Sequence, residues 1–506
     1  MSEHDDLSAD LARLRALSGV KWTRYPADVL PCWVADMDLP TAPPVTDALR
    51  DLIERGDFGY NFATHAALPE CFADWTDAHH RWRPAPVQVR VFCDVLQAVD
   101  LALWLGTEPG DGVVLFTPVY PPFFRCIERI GRRIVDCPLH PAGWRLERDA
   151  LDEAIERAAA EGIRTRAVLL CSPHNPTGRV FGPHELAAVA EVARERDLLV
   201  ISDEIWADMV FSDGYFRHVP IAAGFPFVAD RTVTVAAASK AFNLAGLRCA
   251  VAHIGDERLR AKMAGLPDHL LGAVSTPGAV ATLAAWTEGG EWLAETVAFL
   301  ESQRNHLAAR LAAELPDVRW APPQATYLAW LDFRACELGD DPAAWLLEHA
   351  KVALGAGPDF GEHGKGWARL NFATTRAVLD EAIDRIAAAA GLTAPDAVAL
   401  AAASRTGGSA HPVRSRRRSG RPCWPESTPS RRGSLDSPST RSRHARSRLS
   451  RARGRRYRSR RSSRPPCRSL WPRWCRWRRR DERSSSPIHP QRDRVVPRCP
   501  SRPRPV

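Results

Sequence analysis

The chain has 506 residues and a formal net charge of +9, a sum that hides two oppositely charged parts. Residues 405–506 hold 32 Arg, no Lys and five acids, for +27, whereas residues 1–404 carry −18. No apolar run is long enough to span a bilayer, and the opening Met-Ser-Glu-His-Asp-Asp lacks a signal's apolar core, so the sequence predicts a cytoplasmic protein rather than a membrane or secreted one.

The acidic part has eight cysteines and no Cys-x-x-Cys pair, which fits free thiols in a reducing compartment and offers no metal site. About 400 residues exceed one hydrophobic core, so two domains are expected. The predicted division is an N-terminal segment over 1–47 that joins the smaller domain, a large domain over 48–289, the small domain over 290–392, and a tail over 393–506.

In chain order, helical patterns at 96–105, 147–160 and 183–196 alternate with short β-branched runs at 112–117, 133–137, 167–172, 198–202 and 232–236. That alternation predicts an α/β fold with a mostly parallel sheet covered on both faces. Pro183 with His184-Glu185 reads as a helix start. Beyond about residue 290 come long helices, short strands at 326–331 and 367–372, and a helix over 376–390 with Gly391 as its C-terminal cap, a smaller α+β pattern.

Polar signals cluster just after the strands: Thr117-Pro-Val-Tyr-Pro-Pro122, Ser172-Pro-His-Asn-Pro-Thr-Gly178, Asp203-Glu204 and Ser239-Lys240. Open α/β sheets bind ligands beyond the carboxyl ends of their strands, so these four loops should converge. Lys240 is one of only five lysines in the chain. Arginine supplies most of the cations and cannot give up its proton, so a lysine just past a buried strand is the candidate amine nucleophile.

With Asn175, Asp203, Lys240, Arg248 and Arg369 in this order, residues 20–391 resemble the fold-type I, pyridoxal-phosphate-dependent class I/II aminotransferase superfamily. The resemblance implies a large domain with a mostly parallel sheet plus a smaller α+β domain. It implies pyridoxal 5'-phosphate joined covalently to Lys240, Asp203 on the pyridine nitrogen, Asn175 on the phenolic oxygen, and Tyr120 stacked on the ring. Arg248, Ser239 and the backbone amides of Val95 and Leu96 would hold the phosphate. Tyr60 would reach the phosphate of a neighbouring subunit's cofactor, which implies a homodimer with shared active sites. Arg369 would clamp the substrate α-carboxylate.

Two positions depart from the common pattern. Trp206 stands where many relatives carry tyrosine or histidine near the phenolic oxygen, and an indole can only donate. Ala237 stands where some relatives have a serine for the phosphate.

The segment Trp33-Val-Ala-Asp-Met-Asp38 resembles the signature of the MalY/PatB branch, the carbon–sulfur β-lyases. Phe58-Gly-Tyr60, Thr326-Tyr-Leu-Ala-Trp330 and Gly357-Pro-Asp-Phe-Gly361 agree with it. This branch implies β-elimination of L-cysteine S-conjugates such as cystathionine, with Trp33, Ala35 and Tyr327 near the substrate. The alternative enzyme is an aminotransferase of an L-amino acid. A different class is a regulatory protein whose Arg-rich tail binds nucleic acid electrostatically. The tail's Arg/Ser/Pro excess without Lys or Asn predicts disorder, and it is also what out-of-frame reading of GC-rich DNA gives.

Overall fold

The computed structural model describes residues 7–212, 217–267 and 270–390. The Arg-rich tail, its expected disorder and the expected cap at Gly391 lie outside the described residues. The strands are, in chain order, β1 (Leu30–Pro31), β2 (Val89–Phe92), β3 (Gly112–Thr117), β4 (Arg133–Pro138), β5 (Thr165–Cys171) and β6 (Leu199–Asp203). They continue with β7 (Thr232–Ala236), β8 (Ala250–Ile254), β9 (Leu328–Asp332), β10 (Val352–Ala353), β11 (Gly355–Ala356) and β12 (Trp367–Asn371).

The large sheet has the order β2-β8-β7-β6-β5-β3-β4. β4, β3, β5, β6 and β7 run parallel, while β8 is antiparallel to both its neighbours. The physical reason lies in the connections. Helices Arg148–Ala160 and Pro183–Glu195 cross over between parallel strands, whereas β7 returns as β8 through a loop whose only helical piece is the short turn Ala245–Leu247.

β3 shows why the sheet is covered on both faces. Val114 and Phe116 pack in one buried cluster with Ile155 and Val189 of the crossover helices. Val113 and Leu115 point the other way, into a cluster with Val99 and Leu103 of the helix Val95–Gly106. Such two-sided burial produces the continuous apolar runs that the sequence shows.

A second, antiparallel sheet has the order β11-β12-β9, and β1 pairs in parallel with β10. The N-terminal segment thus joins the strands that follow residue 350. The expected strand at 326–331 begins later, at Leu328, because Thr326 has a left-handed φ of 72° that no strand residue adopts. The sequence did not suggest β2 or β8; short apolar runs such as Ala-Val-Ala-His-Ile carry no decisive period.

Past β1, the segment from Trp33 to Asp38 is tied down by side chains from three distant parts of the chain. Lys21 Nζ donates to Asp38 Oδ2 at 2.7 Å and to the Asp36 carbonyl at 3.0 Å, and Trp22 Nε1 donates to Asp38 Oδ1 at 2.7 Å. Asn243 Oδ1 accepts from Met37 N at 3.1 Å while its Nδ2 donates to Met37 O at 2.9 Å. Asn371 Nδ2 donates to the carbonyls of Val34 and Asp36, both at 2.7 Å. Both partners of the Lys21–Asp38 pair are buried. Removing one leaves an uncompensated buried charge, so Asp38→Ala should lower unfolding stability by about 3–5 kcal/mol. Urea denaturation checks this, with Asp47→Ala at the exposed Arg50–Asp47 pair as the control that shows no measurable change.

Candidate active site

Four strand ends deliver the polar groups to one place, as the sheet topology requires. β6 ends on Asp203, which is buried. Its Oδ1 accepts from Ile205 N at 3.1 Å, and no cationic side chain bonds it among the described residues. Burial pushes the Asp203 carboxyl up to about 7, against the smaller opposing pull of the Ile205 amide.

Beyond β7 the chain turns through Ala238 and Ser239 to Lys240. The Lys240 amine donates to the carbonyl of Ala35 at 2.7 Å and lies 5.9 Å from the centre of the Trp206 ring. Burial lowers its pKa; the Arg369 charge lowers it too, while the carboxylates of Asp36 and Asp203 raise it. Desolvation thus pushes the amine towards its neutral form.

The loop after β5 carries Asn175. Gly178 closes this loop at φ 66°, and a Cβ there would sit 2.2 Å from Pro323 Cβ and 2.8 Å from Ala325 O. Only glycine permits that approach, which lets Gln324 N and Ala325 N both donate to the Gly178 carbonyl.

Arg369 comes from the other sheet, on β12. Its Nη1 donates to Asn175 Oδ1 at 3.0 Å and its Nη2 to the Trp33 carbonyl at 2.9 Å. Its Nε is buried without a partner. The guanidinium lies over the Phe360 ring at 5.0 Å, and burial lowers its pKa to about 10. Tyr327 OH donates to the Ala35 carbonyl at 3.1 Å, and its ring meets Trp206 edge-on at 4.8 Å. Tyr120, just after β3, has its phenol pushed up by burial and pulled back by the nearby Arg369 charge.

Lys240, Asp203, Asn175, Arg369, Trp33, Ala35, Tyr327, Tyr120 and Trp206 are therefore brought together. Trp206 offers a ring face to the amine, with no indole hydrogen bond among the described residues, and Ala237 is buried and brings no hydroxyl. Val95 and Leu96 open the helix Val95–Gly106, and their amides make no hydrogen bond among the described residues. Arg248, with a left-handed φ of 57°, places its guanidinium against Asp94 at that helix start; Ser239 is half-buried near Lys240 in sequence. Tyr60 is not brought to the cluster: it is 96 % exposed and stacks on Phe62.

Sequence reasoning missed Asp94, Asn243, Asn371 and the Lys21–Asp38 pair as parts of this neighbourhood. A signal existed for Asp94, because Asp94 with Gln97 three residues later has the spacing of a capping box. Asn243 and Asn371 act on backbone groups far away in the chain, which leaves no local pattern.

The model of the aminotransferase class I and II family matches residues 34–386. The chain belongs to that family. The cystathionine β-lyase PatB of Bacillus subtilis is 36% identical to it, over 73% of this chain and 96% of that protein. The cystathionine β-lyase of Corynebacterium glutamicum is 34% identical, over 75% and 98%. Among solved structures, the PLP-bound C–S lyase from Staphylococcus hominis superposes with a TM-score of 0.68 at 27% identity, covering 74% of this chain and 96% of that one.

The family's cofactor is pyridoxal 5'-phosphate. The residues present fit its ring end. A buried carboxyl with no cationic partner among the described residues, a desolvated amine and the Asn175 amide, whose oxygen is taken by Arg369 so that its Nδ2 is left to donate, lie within one cluster, and Asp203 is suited to a protonated ring nitrogen. The phosphate end is less simple, because Arg248 there already has an acidic partner.

A pH-dependent stability follows for the cofactor-free protein. Asp203 ionises at about 7 when folded and near 3.8 when free of its surroundings, so the folded state holds the extra proton in between. Its contribution to stability is complete below about pH 4 and is lost as the pH rises through about 7. Asp203→Asn should remove that decline, giving a flatter plot of urea-unfolding free energy against pH than the parent protein over this window.

Proposed function

We propose that the chain catalyses β-elimination of L-cysteine S-conjugates such as cystathionine, as a cysteine-S-conjugate β-lyase. The balanced reaction takes R–S–CH2–CH(NH3+)–COO− and water to R–SH, pyruvate and ammonium. The observation that carries this reading is the place of Trp33–Asp38. The segment that resembles the carbon–sulfur lyase signature is the one whose Ala35 carbonyl holds both Lys240 and Tyr327.

Bound pyridoxal 5'-phosphate supplies an electron sink for the pair left when Cα loses its proton. Arg369 offers the substrate carboxylate its unpartnered Nε, with the guanidinium already fixed in orientation by Asn175 and Trp33. Lys240 takes the Cα proton at its amine nitrogen, a task that burial favours by lowering its pKa. Asp203 would accept a hydrogen bond from the ring nitrogen of the bound cofactor, and its carboxylate would keep that nitrogen protonated. Trp206 and Tyr327, both buried, border the amine with aromatic surface and limit the access of water, which protects the proton-abstraction step.

In this reading Tyr60 serves a neighbouring subunit. Its exposure beside Phe58 and Phe62 gives a surface of three aromatic residues suited to contact with a second copy. The 1–47, 48–289 and 290–392 division is proposed on the same footing. It is supported by the two separate sheets and by the β1–β10 pairing.

The deciding experiment is pyruvate release from cystathionine with no 2-oxo acid present. A lyase releases pyruvate continuously, whereas an aminotransferase releases none: it converts at most one equivalent of cystathionine to the corresponding 2-oxo acid and resumes only when a 2-oxo acid acceptor is added. Lys240→Ala should abolish turnover in either case. Arg369→Gln should lower kcat/KM roughly 10- to 100-fold through loss of charged hydrogen bonds, with most of the change in KM.

A further inference from the structure

The helix Val95–Gly106 begins at a place built for an anion. Its first two amides are without partners among the described residues, and the Arg248 guanidinium sits at the same end. The anion found there belongs to the chain itself. Asp94 caps the helix, with Oδ1 accepting from Gln97 N at 2.8 Å, while its Oδ2 is paired with Arg248. Gln97 returns the contact, its Oε1 accepting from Cys93 N at 2.8 Å. Arg248 makes no other ion pair among the described residues, and its side chain is 64% exposed.

We propose that Asp94 is an internal competitor of the cofactor phosphate. A dianionic phosphate that reaches the Val95 and Leu96 amides must share Arg248 with a carboxylate already bound to it. It must also sit beside a negative charge that cannot move away, because Asp94 Oδ1 is fixed by the helix cap. Asp94 thereby weakens the grip on the phosphate without touching the ring end, where Lys240, Asp203 and Asn175 act. The consequence is a cofactor affinity limited at one named carboxylate. It holds whether the enzyme is a lyase or an aminotransferase.

Asparagine caps helices as well as aspartate does, so Asp94→Asn removes the charge and keeps the fold. The test is an equilibrium titration of full-length cofactor-free protein with pyridoxal 5'-phosphate, read by visible absorbance, beside a parallel titration with unphosphorylated pyridoxal. One unit charge a few ångströms from a dianion in an exposed site costs enough that Asp94→Asn should bind pyridoxal 5'-phosphate roughly tenfold tighter. Pyridoxal affinity should not change. Raising the salt concentration should narrow the gap between variant and parent.

Equal or weaker pyridoxal 5'-phosphate affinity in Asp94→Asn overturns the proposal, as does an equal gain for pyridoxal. Asp94→Ser, which also caps, decides the matter if the asparagine variant is insoluble. Failure of the cofactor assignment itself would look different: the parent protein would develop no visible band with pyridoxal 5'-phosphate, and Lys240→Ala would leave its spectrum unchanged.

Discussion

The Ala35 carbonyl takes two hydrogen bonds, from the Lys240 amine and from the Tyr327 hydroxyl, and the rest of the site is arranged around that oxygen. It can hold them only if the chain around it stays still. The buried Lys21–Asp38 pair fixes one end of the segment, Asn371 clamps the carbonyls on either side, and Asn243 secures Met37. Each of these anchors comes from a different stretch of sequence. The segment is therefore positioned by the finished tertiary structure and by no local element of its own.

Burial acts on the two central titratable groups in opposite directions in charge and in the same direction in chemistry. It raises Asp203 and lowers Lys240, so each is driven towards its neutral form. A protonated ring nitrogen placed beside Asp203 would restore its negative charge, because it would bring the opposite charge that the protein leaves out. In the proposed reaction Lys240 acts through its neutral form, which burial already favours. The site is thus incomplete in charge, as the proposed binding of a cationic heterocycle requires, and Arg369 Nε has no hydrogen-bond partner there among the described residues.

Asp203 and Arg369 lie on strands whose apolar runs are visible in the sequence, and Lys240 lies just past such a run, which is what made these three positions stand out as candidates. The five strands of the parallel run were legible for the same reason, to within a residue or two at each end. What was not legible falls into two kinds. Contacts made by backbone oxygens, such as those of Ala35 and Trp33, have no residue-type signature. Contacts between distant side chains, such as Arg248 with Asp94, appear only when β7, β8 and the helix start are folded side by side. The antiparallel β8 belongs with the second kind, since its direction is set by the connection before it.

The oxygen that steadies Lys240 belongs to the main chain, and this decides which side chains its position depends on. No substitution at position 35 deletes it, although the Ala35 side chain is itself buried in the core and a larger one would have to displace its neighbours. Other changes to the seat of the amine enter through the anchors at 21, 38, 243 and 371, whose side chains hold the segment from outside the pocket. The placement of the Lys240 amine therefore depends on the side chains at 21, 38, 243 and 371, and on the side chain at 35 only through the space that it fills.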